Sequence, residues 1–155
     1  MRELAAWIEA QKLPEGHYER KRALDELNAV MAKSRAQEAE FSKKTEFSVI
    51  YLDGAAVLVS NICNMLHTSP PKKIICNAKI QPGAVAEYRF DDQSIYLACR
   101  QPFKIVYLLH ELAHHVAYIE GVRGANAHGE GFLWVEALLF EAALVQLNGC
   151  TSAGV

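Results

Sequence analysis

The sequence is short of the features that would place it in several large classes. Its four cysteines, Cys63, Cys76, Cys99 and Cys150, include no C-x-x-C pair, so there is no cysteine zinc ribbon. No apolar run approaches the roughly 20 residues that a membrane-spanning helix needs. The least polar early stretch, Ala55 to Leu66, is interrupted by Ser60, Asn61 and Asn64 and reads as a core helix. Nothing resembles a signal peptide. The expectation is a cytoplasmic protein whose thiols stay reduced and pack as small hydrophobes among apolar neighbours. Charge of one sign is also missing. Sixteen Lys+Arg against 18 Asp+Glu leave a net charge of −2, which gives no field to draw nucleic acid or an anionic membrane. No internal repeat or low-complexity segment is visible.

What is present fits one α+β domain. The chain has 155 residues, 51% hydrophobic and 22% charged, enough to bury a core. Residues 1–46 are expected to form an N-terminal helical segment, with Leu4, Trp7 and Ile8 at helical spacing from Arg2 to Lys12. A second helical pattern, from His17 to Phe41, sets Leu24, Leu27, Val30 and Met31 on one side. Its basic Arg20-Lys21-Arg22 is flanked by Glu19, Asp25 and Glu26, which reads as a solvated face rather than a nucleic-acid patch. Phe41 to Glu46 reads as a charged connector. A core at 47–148 follows, and 149–155 is expected to be a flexible tail.

Within that core, a helix is predicted up to His67 and stopped by Pro70-Pro71. Three strands are then predicted at Lys73–Ile80, Val85–Phe90 and Ser94–Cys99. The last two are joined across Asp91-Asp92-Gln93 as a hairpin, in a small, mostly antiparallel sheet. A helix from Phe103 to about Glu120 comes next. After Gly121 and Gly124, another runs from Glu130 to Leu147.

The Phe103–Glu120 helix carries the chemistry. His110-Glu111-Leu112-Ala113-His114 is an H-E-x-x-H motif set among Ile105, Val106, Leu108, Leu109, Val116 and Ala117. Residues four apart share one helix face, so His110 and His114 can aim two imidazoles at one metal ion. Glu111 sits about 100° further round, placed to take a proton from an activated water rather than to ligate. Two histidines and a glutamate in so apolar a helix are costly without a partner. His115 faces away from the pair and reads as packing.

A catalytic zinc takes three protein ligands. The leading third candidate is His128, with Glu136 next and Glu130 and Glu141 as alternatives. The longer H-E-x-x-H-x-x-G-x-x-H pattern is absent, because Ala117 and Glu120 stand at its glycine and third histidine. No methionine follows Met65, so there is no Met-turn. These absences exclude a metzincin.

His110-Glu111-Leu112-Ala113-His114, a thirteen-residue spacer and His128-Gly129-x-x-Phe132 resemble the SprT-like zinc metallopeptidases over roughly Phe47 to Leu147. The pattern is also similar to that of small actinobacterial and phage metallohydrolases. The resemblance implies a zincin-like core with Zn2+ held by His110, His114 and His128, Glu111 as general base, and a protein or peptide substrate. It does not carry over DNA repair, since no cysteine zinc ribbon follows the core. Tyr88, Tyr96, Tyr118 and His115 are candidates to assist an oxyanion, and Ser94–Cys99 is expected at a sheet edge, able to pair with a substrate backbone. Two other readings stand beside this one. An ImmA-like regulatory protease acting on a repressor would favour a carboxylate third ligand, and a non-catalytic metal-binding interaction protein would show no turnover.

Overall fold

In the computed structural model, residues 6, 9–10, 13–14, 16–45, 48–122 and 127–153 are described. In chain order the elements are α1 (Tyr18–Thr45), β1 (Val49–Ile50), α2 (Leu52–Leu66), β2 (Ile74–Ile75), β3 (Ala86–Arg89), β4 (Ser94–Leu97), β5 (Phe103–Lys104), α3 (Ile105–Ile119) and α4 (Glu130–Ala153). This is an α+β architecture. Its centre is α3, where Ile105, Leu108, Leu109, Leu112, Ala113, Val116 and Ala117 repeat at i, i+3, i+4 and i+7 and are all buried. A stripe that continuous must be covered on more than one side. The β3–β4 hairpin covers it from one direction and α4 from another.

The sheet differs from expectation. It is mixed rather than mostly antiparallel, in the order β2-β4-β3, with β2 parallel to β4 and β3 antiparallel to it. The chain leaves β2, forms β3, turns, and lays β4 back between the two, which fixes the parallel pairing. Ser94–Leu97 is therefore the central strand and not an edge. Ser94, Ile95 and Leu97 are all buried, as suits a strand flanked on both sides. The predicted strand Lys73–Ile80 shrinks to Ile74–Ile75, because Asn77 takes a left-handed φ of 52° and turns the chain. A separate two-stranded pairing of β1 with β5 was not foreseen.

The helices also shift at their ends. The predicted connector 41–46 is helical to Thr45, since lysines there are good helix formers. α4 continues past Leu147 to Ala153, with no proline to stop it. The predicted Arg2–Lys12 helix lies mostly outside the described residues. α1 shares the core through Leu24 and Leu27, and the Trp134 indole N–H donates to the Leu27 carbonyl at 3.4 Å. Cys63 is buried, Cys76 and Cys99 are half-buried, and all three are free. The Cys150 side chain lies outside the described residues. Among the described residues no helix is long and apolar enough to cross a membrane.

Candidate metal centre

Two helix ends bring the candidate ligands together. α3 stops at a Schellman motif: Gly121, at φ +71°, donates its N–H to the Tyr118 carbonyl at 3.2 Å, and Val122 donates to Ala117 at 2.8 Å. Only glycine takes this φ without strain. Buried Val122 pins the exit against the core. The chain returns at Ala127, and His128 stands just before α4, whose first turn is fixed by the Leu133 N–H donating to the Gly129 carbonyl at 3.0 Å. A histidine placed there overhangs the ligand face of α3.

The three imidazoles converge through one kind of atom. His128 Nε2 lies 3.1 Å from His110 Nε2 and 3.2 Å from His114 Nε2. The ligand atoms of the three residues all fall within 4.8 Å of one another. Metal–imidazole bonds of about 2.0–2.1 Å at tetrahedral angles put neighbouring nitrogens about 3.3 Å apart. The observed spacing fits.

The chemistry of the donor set fits as well. His110 Nδ1 is 2.9 Å from Glu136 Oε2. An ionised carboxylate only accepts, so Nδ1 carries the proton and Nε2 of the neutral ring offers a lone pair. Such a carboxylate behind a ligating histidine fixes the tautomer and raises ligand basicity. Glu136, the second candidate for third ligand, thus sits behind His110 rather than among the ligand atoms. Glu141 is exposed, and the Glu130 side chain lies outside the described residues.

Phe132 forms the floor. Its ring centroid is 4.4 Å from that of His114, 4.9 Å from His128 and 5.2 Å from His110, and the residue is 1% exposed. Full burial of such a ring stabilises by about 1.5–3 kcal/mol and keeps water from one side of the triad.

Glu111 is 7% exposed. Burial raises its carboxyl above the ordinary 4.5, the neighbouring His110 opposes this, and the Tyr88 backbone N–H donates to it. His110 is raised above 6.5, first by its hydrogen bond to Glu136, with burial working against that.

On the other side of α3, His115 is fully buried. The Tyr88 hydroxyl donates to its Nδ1 at 2.8 Å, and its Nε2–H donates to the Ser69 carbonyl at 2.8 Å. Burial lowers its pKa below 6.5, and burial pushes the Tyr88 hydroxyl up to about 12. His115 is thus a packed, saturated residue, as the helix geometry predicts. Of the tyrosines considered for an oxyanion, Tyr88 is committed to His115 and Tyr96 donates to Asp92. Tyr118 remains 44% exposed.

Sequence reasoning missed two supports: the Tyr88 N–H on Glu111 and Phe132 as a floor under all three rings. Glu136 carried a readable signal. It occupies the i+4 position of an otherwise apolar Phe132, Val135, Leu139 stripe.

No family model matches the sequence, and neither the curated proteins nor the solved structures include a match.

Proposed function

We propose that this chain is a zinc-dependent metallopeptidase of the SprT-like, zincin type, with Zn2+ held by His110, His114 and His128. The observation that carries the reading is the convergence of three Nε2 atoms beside a buried glutamate on the same helix. Zinc, when bound, supplies Lewis acidity that polarises a carbonyl and lowers the pKa of water toward about 7.

The chain's own residues do the rest. Glu111 accepts the proton of the attacking water on a carboxylate oxygen and returns it to the leaving amine. Its raised pKa brings the acid and base forms closer to neutral pH, and the hydrogen bond from the Tyr88 backbone favours the ionised, proton-accepting form. Glu136 holds the His110 ring in the ligating tautomer. Phe132 keeps the floor dry, which strengthens every electrostatic interaction above it.

Substrate backbone has a place to bind. β3 is the edge of its sheet among the described residues. The Ala98 N–H donates to the Val85 carbonyl, so alternation turns the polar groups of Ala86 and Tyr88 away from β4. Tyr88 spends its N–H on Glu111, and the remainder of that edge can pair with an extended peptide. An ImmA-like repressor protease is less favoured, because the carboxylate nearest the triad serves His110 Nδ1 instead of joining the ligand atoms.

The test is hydrolysis of an unfolded protein by the zinc-loaded chain. Glu111→Gln should retain one metal while losing about 10²-fold or more in rate. Undiminished turnover in that variant would remove Glu111 from its role. No turnover by the wild type on any unfolded protein would favour the non-catalytic interaction protein.

A further inference from the structure

We propose that the substrate of this centre carries an aromatic or bulky apolar side chain beside the scissile bond, seated on a shelf formed by Phe90 and Tyr118. The inference rests on the metallopeptidase reading and specifies its substrate class.

The rings around the triad divide into two kinds. Phe132 is enclosed and touches all three imidazoles, so it is structural floor. Phe90 is only half-buried, with its ring 6.5 Å from that of His114. Tyr118 meets Phe90 edge-on at 5.1 Å and leaves 44% of its surface in water.

Position explains why this surface belongs to the reaction. Tyr118 follows His114 by four residues, so it lies one turn along the ligand face of α3. Phe90 follows Tyr88 by two, so it projects to the same side of the chain leaving β3, and the two rings touch edge-on at 4.9 Å. The Tyr88 N–H holds Glu111. The shelf therefore lies beside His114 and continues the strand whose Tyr88 backbone bonds to Glu111, so a side chain next to a bond held at the metal can reach it.

Charge narrows the choice. The side-chain carboxylates acting on Glu111 and Tyr88 from β3 and its turn are those of Glu87 and Asp92. Arg89, the cation of that strand, is bonded to Glu87 at 2.7 Å and lies over the Tyr96 ring at 3.8 Å. An acidic substrate side chain would meet repulsion, whereas an aromatic one gains edge-to-face contacts with both rings.

The experiment compares two small hydroxamates on the zinc-loaded full chain by isothermal titration: acetohydroxamate, and phenylacetohydroxamate, which adds a ring. Wild type should bind the phenyl compound about tenfold more tightly or better. Tyr118→Ala, and Phe90→Leu as the volume-sparing partner change, should each bring the ratio of the two affinities toward about one while acetohydroxamate affinity stays within about twofold. A ratio that survives in both variants overturns the shelf. Ordinary acetohydroxamate binding with no phenyl gain in wild type overturns the shelf alone. Failure of both probes to bind the zinc-loaded wild type overturns the open-metal peptidase reading, and the shelf with it.

Discussion

His110 and His115 stand five residues apart on α3, and the two faces of the helix hold them in opposite tautomers. On the ligand face, Glu136 accepts a hydrogen bond from His110 Nδ1–H, which leaves Nε2 unprotonated toward His128. On the sheet face, the Ser69 carbonyl accepts from His115 Nε2–H and the Tyr88 hydroxyl donates to Nδ1. His115 has both ring nitrogens satisfied by a neutral donor and a neutral acceptor. The triad instead brings three Nε2 atoms together, and that of His110 is left without a proton by the carboxylate behind it. A histidine saturated by neutral partners and one whose Nε2 is left open therefore differ in hydrogen-bond inventory as well as in burial, His115 being enclosed and His110 half-buried.

The sharpest way to break this contrast is to remove one histidine from each face. His128→Ala or His114→Ala should lose the roughly one zinc per chain expected of wild type, measured by elemental analysis after loading and desalting. His115→Ala should keep its zinc yet lose about 2–4 kcal/mol of stability in urea, through a cavity and two unpaired polar groups. Zinc loss in the His115 variant, or retention in the other two, would dissolve the distinction.

A smaller effect is expected behind the ligands. Glu136→Ala should weaken zinc about 10–100-fold in a competition titration without abolishing the site. Tyr88→Phe should cost about 1–3 kcal/mol of stability and leave zinc content unchanged, because it leaves the buried His115 Nδ1 without its donor while the metal face is untouched.

The faintest signature is in pH. His115 has a folded pKa below its ordinary 6.5 because burial penalises the charged ring. The unfolded chain therefore binds the proton first, so stability is complete above about pH 6.5 and declines as pH falls toward the folded value. In the metal-free chain His110 works the other way. Its pKa is raised by Glu136, so its contribution is present below about 6.5 and is lost as pH rises through the folded value. Urea midpoints of the metal-free protein between about pH 5.5 and 7.5 should become less acid-sensitive in His115→Gln and more acid-sensitive in Glu136→Gln.

The same asymmetry governs what could be read from the sequence. The H-E-x-x-H helix was legible because seven apolar residues from Ile105 to Ala117 repeat at helical spacing, and the outward-facing His115 followed from the same geometry. The convergence of His128 with the pair could be anticipated from a glycine turn and a following helix. The relation between His128 and Glu136 could not be settled. His128 precedes α4 and Glu136 sits in its second turn, and which reaches the metal face and which reaches Nδ1 depends on how α4 is set against α3.

The sheet was less legible. Strands of two residues, such as Ile74–Ile75, Val49–Ile50 and Phe103–Lys104, have no period to detect. The placement of Ser94–Leu97 at the centre depends on partners chosen by tertiary packing. The hairpin itself was visible, since aromatic and β-branched residues flank Asp91-Asp92-Gln93.

The position of His128 at the mouth of α4 has a consequence for the polymer as well as for the site. It lies 18 residues from His110 and 14 from His114, and an ion shared by all three would tie together two helices otherwise linked only through the intervening loop. Such a cross-link closes a loop in the folded chain that the unfolded chain would have to close at an entropic cost growing only slowly with length. Ion affinity and folding free energy then become one linked quantity. The midpoint of thermal melting would rise with free zinc concentration, and a chelator would loosen the start of α4 from α3 before it disturbed the β3–β4 hairpin, which contributes no candidate ligand.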